Sequence, residues 1–524
     1  MFATATGARF AHCAPRLPHC ATLVVSLLMF LRSIVPSRLR LLTVLAIACL
    51  GATPLACIRH ASTDDPRILS AWTHALYGAI RVERLSPPVA SRLSAYAMLT
   101  LYAGLAAVHP ELPALQGSLH GMPTLPIAHA ARAADVDGTL IAIAAERIVL
   151  DSLLREALPT TTAQLHRLAD SLTTARLASG VSSARRAGSD SLARVIALAM
   201  LAWSRADGFD GTRGRAFVPL VAEALWLNDS PATNYTTQNL SAASELVTLD
   251  NPANQARASN MSDRGLILSR PKSPEAKTVP AVNMAGATEP YWHEVRPFVL
   301  TAWNSCAIPE PPAYSRDTAS AMYRAAREVF DTHASLTPEQ RTIAYYWADN
   351  AGESGTPVGH WLSIASQMLS ERRLSAVDAV RLLAATAVSQ ADAYIAAWGY
   401  KYQYNLLRPR TYLRRVVDST WEPLIPTPPF PEHPAGHSTQ SAAAATVLTA
   451  MLGETPFTDS TSISLGHSVR HFASFRAASD EAGMSRIYGG IHYPTGNEVG
   501  GVLGRCIGAQ VATAFRLSTV TARR

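Results

Sequence analysis

Apolar residues recur every three to four positions along most of this 524-residue chain. That period marks amphipathic or buried helix. The pattern predicts helices over 67–84 and 89–108, separated by Ser86-Pro87-Pro88, where proline interrupts helical hydrogen bonding. Further helical segments are predicted at 134–157, 160–180 and 188–206. From 207 to 290 the periodicity disappears and Asn, Ser, Thr, Pro and Gly dominate, which reads as a long irregular connection. Helical spacing resumes at 315–333, 337–350, 359–371 and 374–406. A proline-rich loop follows, with Pro423, Pro426, Pro428, Pro429, Pro431 and Pro434. An Ala-rich helix from His437 to Leu452, a shorter one over 464–479 and a last one over 500–515 complete the chain. Strand-like alternation is scarce, so the expected class is all-α, built of helical bundles. No fixed-period repeat is visible.

The first 57 residues change the picture of both charge and location. They carry Arg9, Arg16, Arg32, Arg38 and Arg40 and no acid, so the net charge of +7 falls to 7 − 5 = +2 without them. A chain that near neutrality is not expected to bind nucleic acid. Arg32, Arg38 and Arg40, followed by the apolar run 41–56, read as a secretion signal, with Met29 a candidate start. Pro54-Leu55-Ala56-Cys57 weakly resembles a lipobox, which leaves lipidation of Cys57 and simple cleavage as alternatives. The expected organisation is a signal at 1–57, a helical N-terminal domain with its irregular connection at 58–290, and a catalytic helical domain at 291–524. The product is expected in the periplasm or cell envelope, as a lipoprotein or secreted. Beyond the signal only Cys306 and Cys506 remain, free or paired, and no CxxC pair suggests zinc.

The chemistry concentrates in the last third. Lys401 and Arg408 are seven residues apart, about two helical turns, and so share a face. Two such cations can grip two oxygens of one anion; alone, they would read as a solvated basic face. Pro434-Ala435-Gly436-His437 opens a helix, whose unpaired N–H groups form an anion site and whose first glycine allows close approach. An ordinary turn capped by Ser438 is the plainer reading. Ser485-Arg486 precedes His492 across Gly489-Gly490, a bend that can bring the two side chains to one point. Three clusters in this order suit a tetrahedral oxyanion.

Lys401-x6-Arg408-Pro409, Pro434-x-Gly436-His437 and Ser485-Arg486-x5-His492 resemble the three-part signature of vanadium-dependent haloperoxidases and type 2 phosphatidic acid phosphatases. Segments 291–300 and 347–361 are similar to bacterial haloperoxidase-like proteins. The resemblance implies a C-terminal bundle holding vanadate. His492 would bond vanadium, or attack phosphorus in a phosphatase. Lys401, Arg408 and Arg486 would neutralise the anion's oxygens beside Ala435 and Gly436, and His437 would be the acid/base. Trp398 and Phe430 fall where chloroperoxidase-type members place aromatic residues beside the halide. The implied activity is oxidation of halide by hydrogen peroxide, with an organic acceptor for the hypohalous product and a homo-oligomer as a further expectation. The alternatives are a secreted phosphomonoesterase acting through a phosphohistidine, and a catalytically silent oxyanion-binding relative. Two departures stand out. Ala435 replaces the family's usual serine, and Gly496 stands where an acid usually orients the liganding histidine. Asn497 or Glu498 is expected to take over that task, and Asp349 or Asn350 to orient His437.

Overall fold

The computed structural model describes residues 64–126, 135–213, 215, 217, 220, 222–228 and 287–520. The expected signal at 1–57 and most of the irregular connection lie outside the described residues. The described residues fall within one compact unit, Ser62–Arg524. Its axis is the 29-residue helix Ala376–Tyr404, buried along almost its whole length. Ser375 starts it by accepting the Asp378 N–H, and Asn405 ends it in the left-handed conformation at φ 46°. Alanine at 384, 385, 387, 391, 393, 396 and 397 keeps this helix thin, so neighbours can approach on every side.

The helices are numbered α1 Arg67–Val82, α2 Pro87–Ala106, α3 Gly138–Leu153, α4 Pro159–Ala178, α5 Ser183–Arg205 and α6 Phe209–Thr212. After the connection come α7 Ala321–Ala334, α8 Pro338–Tyr346, α9 Thr356–Glu371, α10 Ala376–Tyr404, α11 Pro409–Val416 and α12 Gly436–Leu452. The chain ends with α13 Phe475–Tyr488 and α14 Pro494–Ala514. Helix α10 packs on α2, α9, α12 and α14, while α1 packs on α9. Helices before and after residue 290 therefore share one core. Asp392, buried in the middle of α10, accepts the N–H groups of Phe298, Val299 and Leu300 at 2.7, 2.8 and 3.0 Å. Burial still raises its pKa to about 6, against the lowering effect of those three donors. No helix among the described residues is long and apolar enough to cross a membrane.

The helix α14 lies unusually close to α12, and glycine is the cause. A Cβ added at Gly500, Gly504 or Gly508 would stand less than 3.0 Å from the carbonyl oxygens of Ala435, Thr439 and Ala443 respectively. These residues recur every four positions on both helices, so one glycine row faces one row of carbonyls. The close fit brings the start of α14 beside the start of α12, where Ala435 N–H donates to Gly496 O at 2.9 Å.

The all-α expectation holds, with local corrections. Pro87 and Pro88 do not merely end the first helix. They occupy the first turn of α2, where proline's missing N–H costs nothing, and Ser86 caps them. The helix expected at 464–479 is instead a 3-10 turn, a short strand and the beginning of α13. Residues Phe457–Asp459 (β1) and Arg470–Phe472 (β2) pair antiparallel, with Phe457 opposite Phe472. Ser474 then caps α13, which runs to Tyr488, so Arg486 sits in a helix and not in a loop. The last helix begins at Pro494, and Pro409–Val416 forms α11 where only loop was expected.

Cys306 and Cys506 form a disulfide across a sequence separation of 200, tying the 301–308 loop to α14. A bridge closing so long a loop stabilises a fold by about 2–5 kcal/mol. The unreduced, unfolded protein should show no titratable thiol from these two positions. Cys306→Ser should lower the melting temperature measured in non-reducing buffer.

Candidate active site

Three segments meet at one buried point: the end of α10 with the start of α11, the proline-rich loop leading into α12, and the end of α13 with the start of α14. Lys401, Arg408 and Arg486 are each at most 1 % exposed and His492 is 2 % exposed. The expected residues therefore do converge, and Gly436, His437, Arg486, His492, Trp398 and Phe430 line one cavity. Its outer wall is largely apolar, from Pro87, Ile425, Pro426, Pro428 and Ile491.

Each cation has a distinct hold. Arg408 donates from Nε to Phe430 O at 2.9 Å and from Nη1 to Ile491 O at 2.8 Å. The same Nη1 stands 3.0 Å from His492 Nε2, while Nη2 is buried with no partner. Arg486 donates to Trp347 O at 2.7 Å and to Ser485 Oγ at 2.9 Å. Lys401 turns onto the loop and donates to Pro431 O, Glu432 O and Pro434 O at 3.0, 2.9 and 2.5 Å. All three ammonium protons are thus engaged by backbone, so Lys401 organises the loop and acts on the cavity through its charge. Burial drives its pKa well below the usual lysine value, and neighbouring Arg408 pushes the same way. Burial likewise lowers Arg408, to about 10.

Two imidazoles face this charge, both held neutral. Burial comes first for each. His492 is then depressed further by Arg408 and Lys401, and His437 by Arg486 and His360. His437 donates to the carbonyl of Trp347, which also receives Arg486, and its Nε2 is buried without a partner. Its orienting group is therefore a backbone carbonyl and not the expected Asp349 or Asn350. Those two bond His360 and Glu353 instead, each at 2.9 Å.

His492 Nδ1 lies 2.8 Å from Glu432 Oε1, which also accepts the Tyr493 N–H at 3.0 Å. The orienting group is therefore neither the amide of Asn497, which accepts the Ser438 hydroxyl, nor Glu498, which is exposed. Burial raises the Glu432 pKa to about 7, opposed by Lys401 and Arg408. With Ser438 drawn to Asn497, no side chain caps the N-terminus of α12, and its first N–H groups remain available to an anion.

The donor set fits a tetrahedral oxyanion such as vanadate. An orphaned guanidinium nitrogen, an orphaned imidazole nitrogen and an uncapped helix start surround His492. Arg408, Arg486 and the Gly436 N–H would hold its oxygens, and His492 Nε2 would bond its central atom. No group of three or more His, Cys, Asp and Glu residues that could hold a metal ion occurs among the described residues.

The family described as "VCPO second helical-bundle domain" matches residues 381–519. The fold is similar to the crystal structure of a bacterial vanadium-dependent iodoperoxidase, with 27% identity, 86% of this chain and 98% of that chain covered, and a TM-score of 0.69. It is also similar to holo and apo bacterial vanadium-dependent chloroperoxidase, at 15% and 14% identity and TM-scores of 0.58 and 0.57. Each of those comparisons covers 84% of this chain and 94% of the other. No match to a curated protein reaches significance. These findings support the vanadium haloperoxidase/PAP2-like superfamily.

Sequence reasoning missed Glu432, His360 and Asp459. His360 is fully buried, stacked on Trp347 at 4.4 Å, and clasped by Asp349 at 2.9 Å and Asp459 at 2.7 Å. Burial opposes its charge, but the two carboxylates prevail and hold its pKa at about 10. Asp459 falls correspondingly to about 2: burial raises it, and His360 outweighs that. A histidine amid an apolar run was the available signal, but its partners lie 11 and 99 residues away.

Because the folded pKa of His360 exceeds the ordinary 6.5, its contribution is fully present below pH 6.5 and is lost as pH rises through about 10. His360→Ala strands two buried carboxylates and should cost about 3–5 kcal/mol in denaturant unfolding at pH 6. The gap to wild type should narrow steadily from pH 6.5 to pH 10. A gap that stays constant over that range would show that His360 is not cationic in the fold.

Proposed function

We propose that the chain is a vanadate-dependent haloperoxidase that oxidises halide with hydrogen peroxide. The supporting observation is an orphaned His437 Nε2 on the same cavity as His492, whose Nε2 stands 3.0 Å from Nη1 of an Arg408 guanidinium with its other terminal nitrogen orphaned. When bound, vanadate supplies a Lewis-acid centre that polarises peroxide toward nucleophilic attack. His437 Nε2 accepts the proton that peroxide loses on binding and later returns a proton to the departing oxygen. Arg408, Arg486 and the Gly436 N–H hold the negative charge, and Lys401 adds its field from behind the loop. In sum, hydrogen peroxide, halide and one proton give hypohalous acid and water.

The walls of the cavity favour this reading over phosphomonoester hydrolysis. Trp398 and Phe430 lie 4.9 Å apart at the cavity, and Lys401 Nζ sits 5.2 Å from the Phe430 ring centre. A polarisable halide suits a position beside aromatic rings and a buried cation. Iodide, the easiest halide to oxidise, is the proposed first substrate, in keeping with the likeness to an iodoperoxidase. The hypohalous product would halogenate an organic acceptor beyond the cavity. The Cys306–Cys506 disulfide supports the further proposal that the chain is exported, since disulfides persist in oxidising compartments.

The test is to strip the protein of bound anions, reload it with orthovanadate, and follow peroxide-dependent oxidation of iodide and bromide. Turnover should require vanadate and vanish in His492→Ala. His437→Ala should lower turnover about 10²–10⁴-fold while vanadate still binds. Hydrolysis of a phosphomonoester without halide oxidation would replace this reading with a phosphatase. Vanadate binding without either activity would leave a silent oxyanion binder.

A further inference from the structure

The usual orienting position after the liganding histidine holds glycine, yet His492 is not without an acid. Gly496 lies one helical turn beyond His492, and Glu432 reaches the same spot from the proline-rich loop. A Cβ added at Gly496 would stand less than 3.0 Å from both oxygens of the Glu432 carboxylate. The two positions therefore compete for one volume, and only one of them can carry an acid. Glu432 is fully buried, and its backbone is fixed at both ends. Its N–H donates to Leu406 O at 3.0 Å, and its carbonyl receives Lys401 at 2.9 Å. Its Oε1 takes both the His492 ring and the Tyr493 N–H, so the carboxylate is aimed along two bonds.

We propose that Glu432 is the positioning residue for His492, and that Gly496 is the seat vacated so that a loop carboxylate, and not one on α14, sets the ring. The proposal rests on reading the cavity as an oxyanion site. Its physical content is a tautomer and an angle. An acceptor at Nδ1 keeps the proton there and leaves Nε2 bare toward Arg408 and the cavity. The same residue links the ring to Lys401, because the carbonyl of Glu432 is one of the three that hold the ammonium group. Ring orientation and loop position are therefore set by one residue.

The experiment measures orthovanadate affinity by calorimetry for wild type, Glu432→Gln, Glu432→Ala and the double variant Glu432→Ala/Gly496→Asp, with thermal melts of each. Glu432→Ala should bind about 10–100-fold more weakly. Glu432→Gln should lose less, because its amide oxygen can still accept the Nδ1 proton. The double variant should recover to within a few-fold of wild type, which a merely structural role for Glu432 would not produce. Unchanged affinity in Glu432→Ala overturns the positioning role, and a double variant as weak as Glu432→Ala overturns the exchange of seats. Failure of wild type to bind vanadate would instead remove the oxyanion reading. The ¹⁵N shifts of the His492 ring then decide the role of Glu432 with no anion present. An Nδ1–H tautomer that is lost in Glu432→Ala upholds it, and a spectrum unchanged by that substitution overturns it.

Discussion

Three cations are buried around one imidazole, and the rest of the site follows from accommodating them. Desolvating Lys401, Arg408 and Arg486 is costly, and a single carboxylate, Glu432, stands against the first two. Backbone carbonyls supply what acids do not. Pro431, Glu432 and Pro434 take Lys401, Phe430 and Ile491 take Arg408, and Trp347 takes Arg486. Carbonyl dipoles solvate positive charge without cancelling it. The centre therefore keeps a net positive field aimed at the cavity, which a dianionic tetrahedral ligand would neutralise. A site built with more carboxylates would be easier to bury and would repel an anion.

The same constraint explains the architecture around it. Carbonyls can surround Lys401 only if the loop from 423 to 435 bends back over the end of α10, and its prolines limit the conformations it could otherwise adopt. The glycine row on α14 then lets α12 and α14 start side by side, so the uncapped N–H groups at Gly436 and the ring of His492 face one volume. Packing and chemistry meet in a few residues: Gly500 serves the helix contact, and Gly496 serves the carboxylate of Glu432.

What could be read from the sequence, and what could not, divides by distance along the chain. Helical period identified α1–α5 and α7–α10 because each is a local pattern. Lys401, Arg408, His437, Arg486 and His492 were legible because they sit in short motifs of fixed spacing. The hairpin β1–β2 was not, since three-residue strands leave no alternation to count and Phe457 meets Phe472 only in space. Glu432 escaped because its contact with His492 spans 60 residues, and the clasp of His360 by Asp459 spans 99. Lys401 was expected to touch the anion directly. Counting its three N–H groups against the carbonyls of the folded loop is what assigns it a field effect instead.

The environment of each histidine decides what it can do. His437 and His492 lie amid cations and are held neutral, so each offers a nitrogen lone pair at Nε2. His360, stacked on Trp347, lies between two carboxylates and is held cationic. The Trp347 ring stacks on His360 while the Trp347 carbonyl receives His437 and Arg486. Trp347 thus meets a positive imidazole with its ring and a neutral one with its carbonyl, and it fixes His437 with a dipole that carries no net charge. A carboxylate in place of that carbonyl would draw a proton onto His437 and fill the lone pair at Nε2. The backbone carbonyl orients the ring and leaves that nitrogen free to accept a proton.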